Sequence, residues 1–77
     1  MIEKMTQTEQ VRWYMQEYGS IDPMQAMRDL GIYRLGARIW DLKNIENLNI
    51  SKRNKSVKNR FGKNTVVAEY YLEDNHA

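Results

Sequence analysis

The apolar residues of this chain change their spacing once, near Asn47. Before that point they recur every three or four residues, which is the spacing of one face of a helix. After it, Leu48 and Ile50, and then a second set that begins at Val66, are spaced by twos, as on one face of a strand. The order of the two patterns predicts a mainly α chain with a C-terminal β-hairpin, in the α+β class.

Local signals mark both ends of a first helix. Thr6 followed by Glu9 has the spacing of a capping box, in which each side chain satisfies a backbone N–H at the helix start. Gly19 supplies a left-handed stop. The predicted buried stripe between them consists of Val11, Tyr14, Met15 and Tyr18.

A second helix of about two turns is predicted directly afterwards. Asp22-Pro23 is typical of an N-cap followed by the first helical position, and Gln25 completes a second capping box. Gly31 closes the helix. Its expected buried stripe consists of Met24, Met27 and Leu30.

The segment that begins at Tyr33 predicts a third helix, which should end between Asn44 and Asn47. Two stripes can be separated by their phase. The stripe expected to face the core consists of Ile32, Leu35, Ile39 and Leu42. The stripe expected to face outward consists of Arg34, Ala37, Arg38 and Asp41.

Three residues do not fit these stripes. Gly36 costs the third helix roughly 1 kcal/mol relative to alanine, which suggests a close approach, either by helix 2 or by a ligand backbone. Trp13 and Trp40 lie off the main stripes, so one of them is a candidate for a partner surface. Six aromatic residues at helix or strand spacing are expected in the core or at its rim rather than on a base-stacking surface: Tyr14, Tyr18, Tyr70, Tyr71, Trp13 and Trp40.

Positive charge is concentrated in one segment. The formal net charge of the chain is only +2, but residues 51–64 hold six basic residues and no acid. Residues 1–21 and 22–50 are each close to neutral. The basic segment, from Lys52 to Asn64 with Gly62 near its tip, is predicted to be the loop of a hairpin whose strands carry inward-facing residues at Leu48, Ile50, Val66, Ala68, Tyr70 and Leu72.

Composition excludes several classes of function. With 77 residues the chain is expected to be one domain over residues 1–77, ordered from about 6 to 73, with a frayed tail at residues 74–77. There is no cysteine, and His76 stands alone in that tail. Neither a metal cluster nor a catalytic set can be assembled, so no enzyme activity and no cofactor are expected. No stretch is long and apolar enough for a signal peptide or a membrane span, which favours a cytoplasmic protein.

The segments at residues 19–23, 29–32 and 34–43, with Tyr70-Tyr71-Leu72 at the end of the hairpin, resemble the winged helix-turn-helix proteins, in particular the small domains encoded in phages and prophages. The most specific part is the run from Arg34 to Leu42. Trp40 departs from the family, which usually has a small polar residue there, and Asn47 stands where glycine is common. The resemblance implies three helices, a two-stranded wing at about 51–65, and binding of double-stranded DNA in a bacterial cell or phage-infected host.

In such a complex the third helix would lie in the major groove, with the wing on the backbone or in the minor groove. Arg34 and Arg38 are candidates for bidentate contact to guanine. Asp41 is either an i, i+3 partner of Arg38 or an acceptor from cytosine, and Tyr33 either bonds a phosphate or packs. The candidate DNA-binding residues are Tyr33, Arg34, Ala37, Arg38 and Asp41 on the helix, and Lys52, Arg53, Lys55, Lys58, Arg60 and Lys63 in the wing.

Three alternatives stay open at this point. The basic loop could be a solvated edge that resists aggregation rather than a phosphate site. The DNA-binding hypothesis covers a transcriptional regulator and an excision or architectural factor, with a second copy as a dimer or on tandem sites. The same fold could instead serve as a small protein-binding or inhibitor module.

Overall fold

The computed structural model describes residues 4–73, and the predicted tail at residues 74–77, with His76, lies outside them. Three helical segments precede an antiparallel pair of strands, which confirms the predicted α+β order. Helix 2 has two parts, the short α2 and a π-helical turn that continues it. The elements are α1 (Gln7–Tyr18), α2 (Pro23–Gln25), the π turn (Ala26–Leu30), α3 (Leu35–Asn44), β1 (Ile50–Lys58) and β2 (Asn64–Leu72).

The capping signals form as the sequence predicts. Thr6 Oγ1 accepts from the Glu9 N–H and the Glu9 carboxylate accepts from the Thr6 N–H, which completes the first capping box. Asp22 and Gln25 make the same reciprocal pair at the start of helix 2. Gly19 closes α1 in the left-handed region, with a φ of 91°. These local contacts satisfy backbone groups that a helix end leaves open.

The buried faces of the first two helices are narrower than predicted. Val11, Tyr14 and Met15 are buried, but Tyr18 is 66% exposed beyond the end of the core. In helix 2, Met24 and Met27 are exposed, and Ala26 takes the buried position. Ala26 and the partly buried Leu30 are at i and i+4, so the buried side of helix 2 is out of phase with the predicted i, i+3 stripe.

The inner stripe of α3 is confirmed. Ile32, Leu35, Ile39 and Leu42 are all buried, and they join the core formed by α1 and the start of β1. The helix begins at Leu35, so Tyr33 lies in the preceding turn rather than in the helix. Asn47 adopts the left-handed conformation, with a φ of 58°, and separates α3 from the hairpin.

The basic segment is a strand, and its prediction as a loop is wrong. β1 runs to Lys58, and only residues 59–63 form the connection to β2. The register places Ile50 opposite Leu72 and Lys58 opposite Asn64. The outer part of the hairpin extends past the core, so its strands need no apolar alternation, and Val66, predicted to face inward, is 65% exposed.

A short antiparallel bridge outside the hairpin joins Ile21 to Tyr70 of β2. The Ile21 N–H donates to the Tyr70 carbonyl at 2.9 Å, and the Tyr70 N–H donates to the Ile21 carbonyl at 2.8 Å. Ile21 is fully buried, so the link between α1 and helix 2 is fixed against β2. Among residues 4–73 there is no helix with the length and apolar character that crossing a membrane requires.

Candidate nucleic-acid interface

The solvent-facing side of α3 carries residues spaced at i, i+4, i+7 and i+8. They are Gly36, Trp40, Lys43 and Asn44. Trp40, expected in the core or at its rim, is instead 58% exposed near the middle of this face. Tyr33 and Arg34 are also exposed and lie just before the helix begins. A major groove admits a helix presented in this way, with side chains at one face.

The predicted outward stripe of α3 is partly covered. Arg34 is exposed, but Ala37, Arg38 and Asp41 are half-buried, so the stripe is not the outer face of the helix. The reason is that α1 packs beside α3 on this side. The Arg38 Nη1 donates to Gln7 Oε1 at 3.2 Å, and the Thr8 hydroxyl donates to Asp41 Oδ2 at 3.5 Å.

Arg38 and Asp41 also pair with each other. The Nε of Arg38 lies 3.1 Å from Oδ2 of Asp41, at the i, i+3 spacing expected for a helical ion pair. The side chains retain 30% and 25% exposure, so the pair lies at the rim of the α3 face. Contact of Arg38 with guanine stays a prediction, and in the free protein its guanidinium is engaged by Asp41 and Gln7.

Packing among residues 4–73 gives no reason for a glycine at position 36. A Cβ built at this position meets no atom within 4 Å apart from the helix's own backbone and the adjacent residues. Close approach by helix 2, one of the two explanations from the sequence, is therefore wrong for the free protein. The glycine lies one helical turn before Trp40 and leaves an open surface on the exposed face of α3.

The six predicted cations of the hairpin divide into two groups. Arg53 and Lys55 are paired with acids that come from other parts of the chain. Within residues 4–73, the other four form no ion pair, and all are exposed. These four, which we call the free hairpin cations, are Lys52, Lys58, Arg60 and Lys63.

The paired cations belong to a network between the hairpin and the start of helix 2. The Lys55 Nζ lies 2.6 Å from Asp22 Oδ2 and 3.4 Å from Glu69 Oε2. Arg53 Nε lies 2.8 Å from Glu69 Oε1, and the Ser20 hydroxyl donates to Oε2 of the same carboxylate. Both acids are buried, so each needs these partners.

The pKa values follow from this geometry. The hydrogen bond from Arg53 is the main reason that the pKa of Glu69 lies below its ordinary value, although burial opposes the shift. The hydrogen bond to Asp22 is the main cause of a raised pKa for Lys55. Both shifts favour the charged forms, which keeps the network ionised at neutral pH.

The side chain of Asn59 bridges the turn at the end of the hairpin. Oδ1 of Asn59 accepts from the Phe61 N–H at 2.9 Å and from the Lys63 N–H at 3.1 Å. Gly62 provides the positive φ of 79° that the turn requires. Phe61 is 81% exposed at this tip.

A family model for the winged helix-turn-helix domain matches residues 6–75. The chain belongs to this family. Helix 2 and α3 are therefore the helix-turn-helix, α3 is its second helix, and the hairpin is the wing. Comparisons with curated proteins and with solved structures found no match.

This winged helix-turn-helix domain also has an apolar groove between helix 2 and the wing. The groove encloses about 400 Å³ and is lined by Pro23, Met24, Met27, Arg28, Tyr33 and Val67. The two exposed methionines of helix 2 are part of its lining. Tyr33, predicted to contact phosphate or to pack, forms part of this lining and is 81% exposed.

Sequence reasoning missed several exposed residues of this winged helix-turn-helix domain. Lys43 and Asn44 lie on the same helical face as Gly36 and Trp40. The helical spacing from those two residues could have predicted that they are exposed. Phe61 was missed because a lone aromatic in a basic segment has no periodicity. Nothing in the sequence pattern separates Arg53 and Lys55 from the free hairpin cations.

Proposed function

We propose that this winged helix-turn-helix domain is a non-catalytic binder of double-stranded DNA. The observation that carries the proposal is the set of free hairpin cations, which project on the wing without acidic partners among residues 4–73. Each phosphate that such a cation neutralises releases condensed counterions and so favours binding. The wing then lies along the DNA backbone or enters the minor groove.

The exposed face of α3 supports a place in the major groove. It combines an open glycine, a large aromatic side chain and the cation of Lys43, and Arg34 lies at the N-terminal end of the same helix. Arg34 and Arg38 remain the proposed contacts to guanine, while Tyr33, Ala37 and Asp41 are proposed contacts at the rim. For Arg38 this contact requires the guanidinium to exchange Gln7 or Asp41 for a base.

A salt titration on random duplex DNA tests the proposal. If all four free hairpin cations engage phosphates, log K falls against log salt with a slope of about −3.6. Lys58→Ala should reduce the magnitude of that slope by about 0.9. Absence of binding even in dilute salt would contradict the proposal.

Lys55→Ala is the matched control in the same strand. Lys55 is held by Asp22, so its loss should leave the salt slope unchanged and should instead lower the free energy of unfolding by about 1–3 kcal/mol, since a buried carboxylate loses its partner. An equal loss of slope in both variants would show that Lys55 contacts phosphate as well.

The proposed biological role is a regulator or an excision or architectural factor of the phage type, in the cytoplasm of a bacterial cell or an infected host. A domain of this size contacts few base pairs, so we propose that two copies act together, as a dimer or on tandem sites. Selection of bound sites from a random duplex pool, followed by inspection for repeated half-sites, tests both points.

The apolar groove favours a second candidate function, a protein-binding module. Its exposed methionines are adaptable side chains suited to an apolar side chain of a partner protein. In that case Met24→Ser with Met27→Ser abolishes binding to the partner while the DNA titration shows no complex. Retention of DNA binding by this double variant, with the slope of the unmodified protein, favours the first function.

A further inference from the structure

The tip of the wing presents a largely exposed aromatic side chain. Phe61 is 81% exposed, and the hairpin strands are nine residues each. Lys58 is eight residues beyond Ile50, the buried end of β1, so the tip lies about 27 Å along the hairpin from the core. An apolar side chain at such a distance does not contribute to the core.

The turn holds the backbone of Phe61 in a defined place. Asn59 Oδ1 accepts from the backbone N–H groups of Phe61 and Lys63, at 2.9 and 3.1 Å. The Asn59 N–H donates to the Lys63 carbonyl at 2.9 Å, and the Gly62 N–H donates to the Asn59 carbonyl at 3.0 Å. Four hydrogen bonds in five residues fix the backbone, so little backbone entropy remains to be lost when Phe61 is buried.

The surroundings of Phe61 identify its partner by charge. Arg60 precedes it, Lys63 follows within the same turn, and Lys58 ends β1, and none of them forms an ion pair among residues 4–73. Fully buried cores of protein–protein interfaces are depleted in charged residues, lysine among them. A polyanion with an apolar interior, such as stacked base pairs between two lines of phosphates, fits both the ring and the cations.

We propose that Phe61 is a wedge that enters the minor groove, opens one base step and bends the duplex, with Arg60 and Lys63 on the flanking phosphates. Proteins that insert an apolar side chain in this way kink DNA by about 20–90°. The inference rests on the proposed DNA binding and adds an architectural activity to it. It also predicts preference for base steps that unstack easily.

Bending is measured by energy transfer between dyes at the two ends of a duplex of about 30 base pairs. Binding of the unmodified protein should raise the transfer efficiency, as expected for a kink of tens of degrees. Phe61→Ala should lose this increase while keeping the salt slope, because the cations are unchanged. Phe61→Leu should restore most of the bend, since leucine is also an apolar wedge.

A second measurement uses duplexes that differ only in a central mismatch. Unstacking costs a few kcal/mol per step, so the unmodified protein should bind the mismatched duplex about ten-fold more tightly than the intact one. Phe61→Ala should lose this discrimination. Val66→Ala is the matched control, since it removes another exposed apolar side chain from the same hairpin and should leave both readouts unchanged.

The outcomes separate the wedge from the proposed function. If the unmodified protein binds no duplex, DNA binding itself fails. If it binds with the expected salt slope but without bending, or if Phe61→Ala bends DNA as the unmodified protein does, the wedge is wrong and DNA binding stands. Loss of bending in Val66→Ala as well would assign the effect to the apolar surface of the hairpin rather than to Phe61.

Discussion

Gly36 weakens α3 without relieving a close contact in the part of the chain that the structure describes. Glycine in a helix interior is about 1 kcal/mol less favourable than alanine, and an added methyl group here meets no atom within 4 Å apart from the helix's own backbone and the adjacent residues. Under the proposed DNA binding, the open surface at Gly36, beside Trp40 and Lys43 on the exposed face of α3, would admit close approach of the groove.

Gly36→Ala should therefore separate stability from binding. We expect the free energy of unfolding to rise by up to about 1 kcal/mol, measured by urea denaturation. DNA affinity should fall about ten-fold or more, because the methyl group overpacks a close contact with the groove. Gly31→Ala is the control. It should lower the free energy of unfolding instead of raising it, because its φ of 69° lies in the left-handed region that alanine rarely adopts. A Gly36→Ala protein that binds DNA as tightly as the parent contradicts the placement of this face against DNA.

The two capping boxes and the glycine stops could be predicted because their partners are at most five residues apart. The buried side of helix 2 could not, because Met24 and Met27 form a second apolar stripe with Leu30 at i, i+3 spacing, which competes with the stripe through Ala26. The outward face of α3 was predicted wrongly for another reason. Arg38 and Asp41 of the predicted stripe are partly covered by Gln7 and Thr8 of α1, which are about thirty positions away in the sequence.

Thr6→Ala tests the energetic weight of the first cap. Loss of the N-cap hydroxyl leaves a backbone donor of α1 open and should lower the free energy of unfolding by about 1 kcal/mol. For a domain of this size the melting temperature should fall by about 4–8 °C. Gln16→Ala, an exposed change inside the same helix, should shift it by much less. Equal shifts in the two variants would mean that the cap contributes nothing specific.

In the whole molecule, the orientation of the wing depends on buried acids. Asp22 begins helix 2 and Glu69 lies in β2, and Lys55 of β1 bridges both. The paired strand contact between Ile21 and Tyr70 lies beside this network. The sequence could not show which of the six hairpin cations form ion pairs. The acids that pair with two of them lie outside the basic segment and are brought there only by folding.

The acid limb of stability should depend on Glu69. Its pKa in the folded protein lies below the ordinary 4.5, mainly because of Arg53, so the unfolded chain takes up the proton first. The contribution is fully present above pH 4.5 and is lost as pH falls through the lower folded pKa. Glu69→Gln should be less stable at neutral pH and should show a flatter dependence on pH in denaturation experiments. Glu17→Gln, at an exposed site of α1, should follow the parent curve, and a parent curve without an acid limb would refute the role of Glu69.

The fluorescence of Trp40 reports on the exposed face of α3. The other indole, Trp13, is half-buried and packs edge-to-face on Tyr14 and Tyr18, at centroid distances of 6.4 and 5.9 Å. Light emitted at the long-wavelength end of the fluorescence spectrum therefore comes mainly from the water-exposed indole on α3. Quenching there on addition of an unlabelled partner, in a Trp13→Phe protein, shows directly that this side of the domain has been covered.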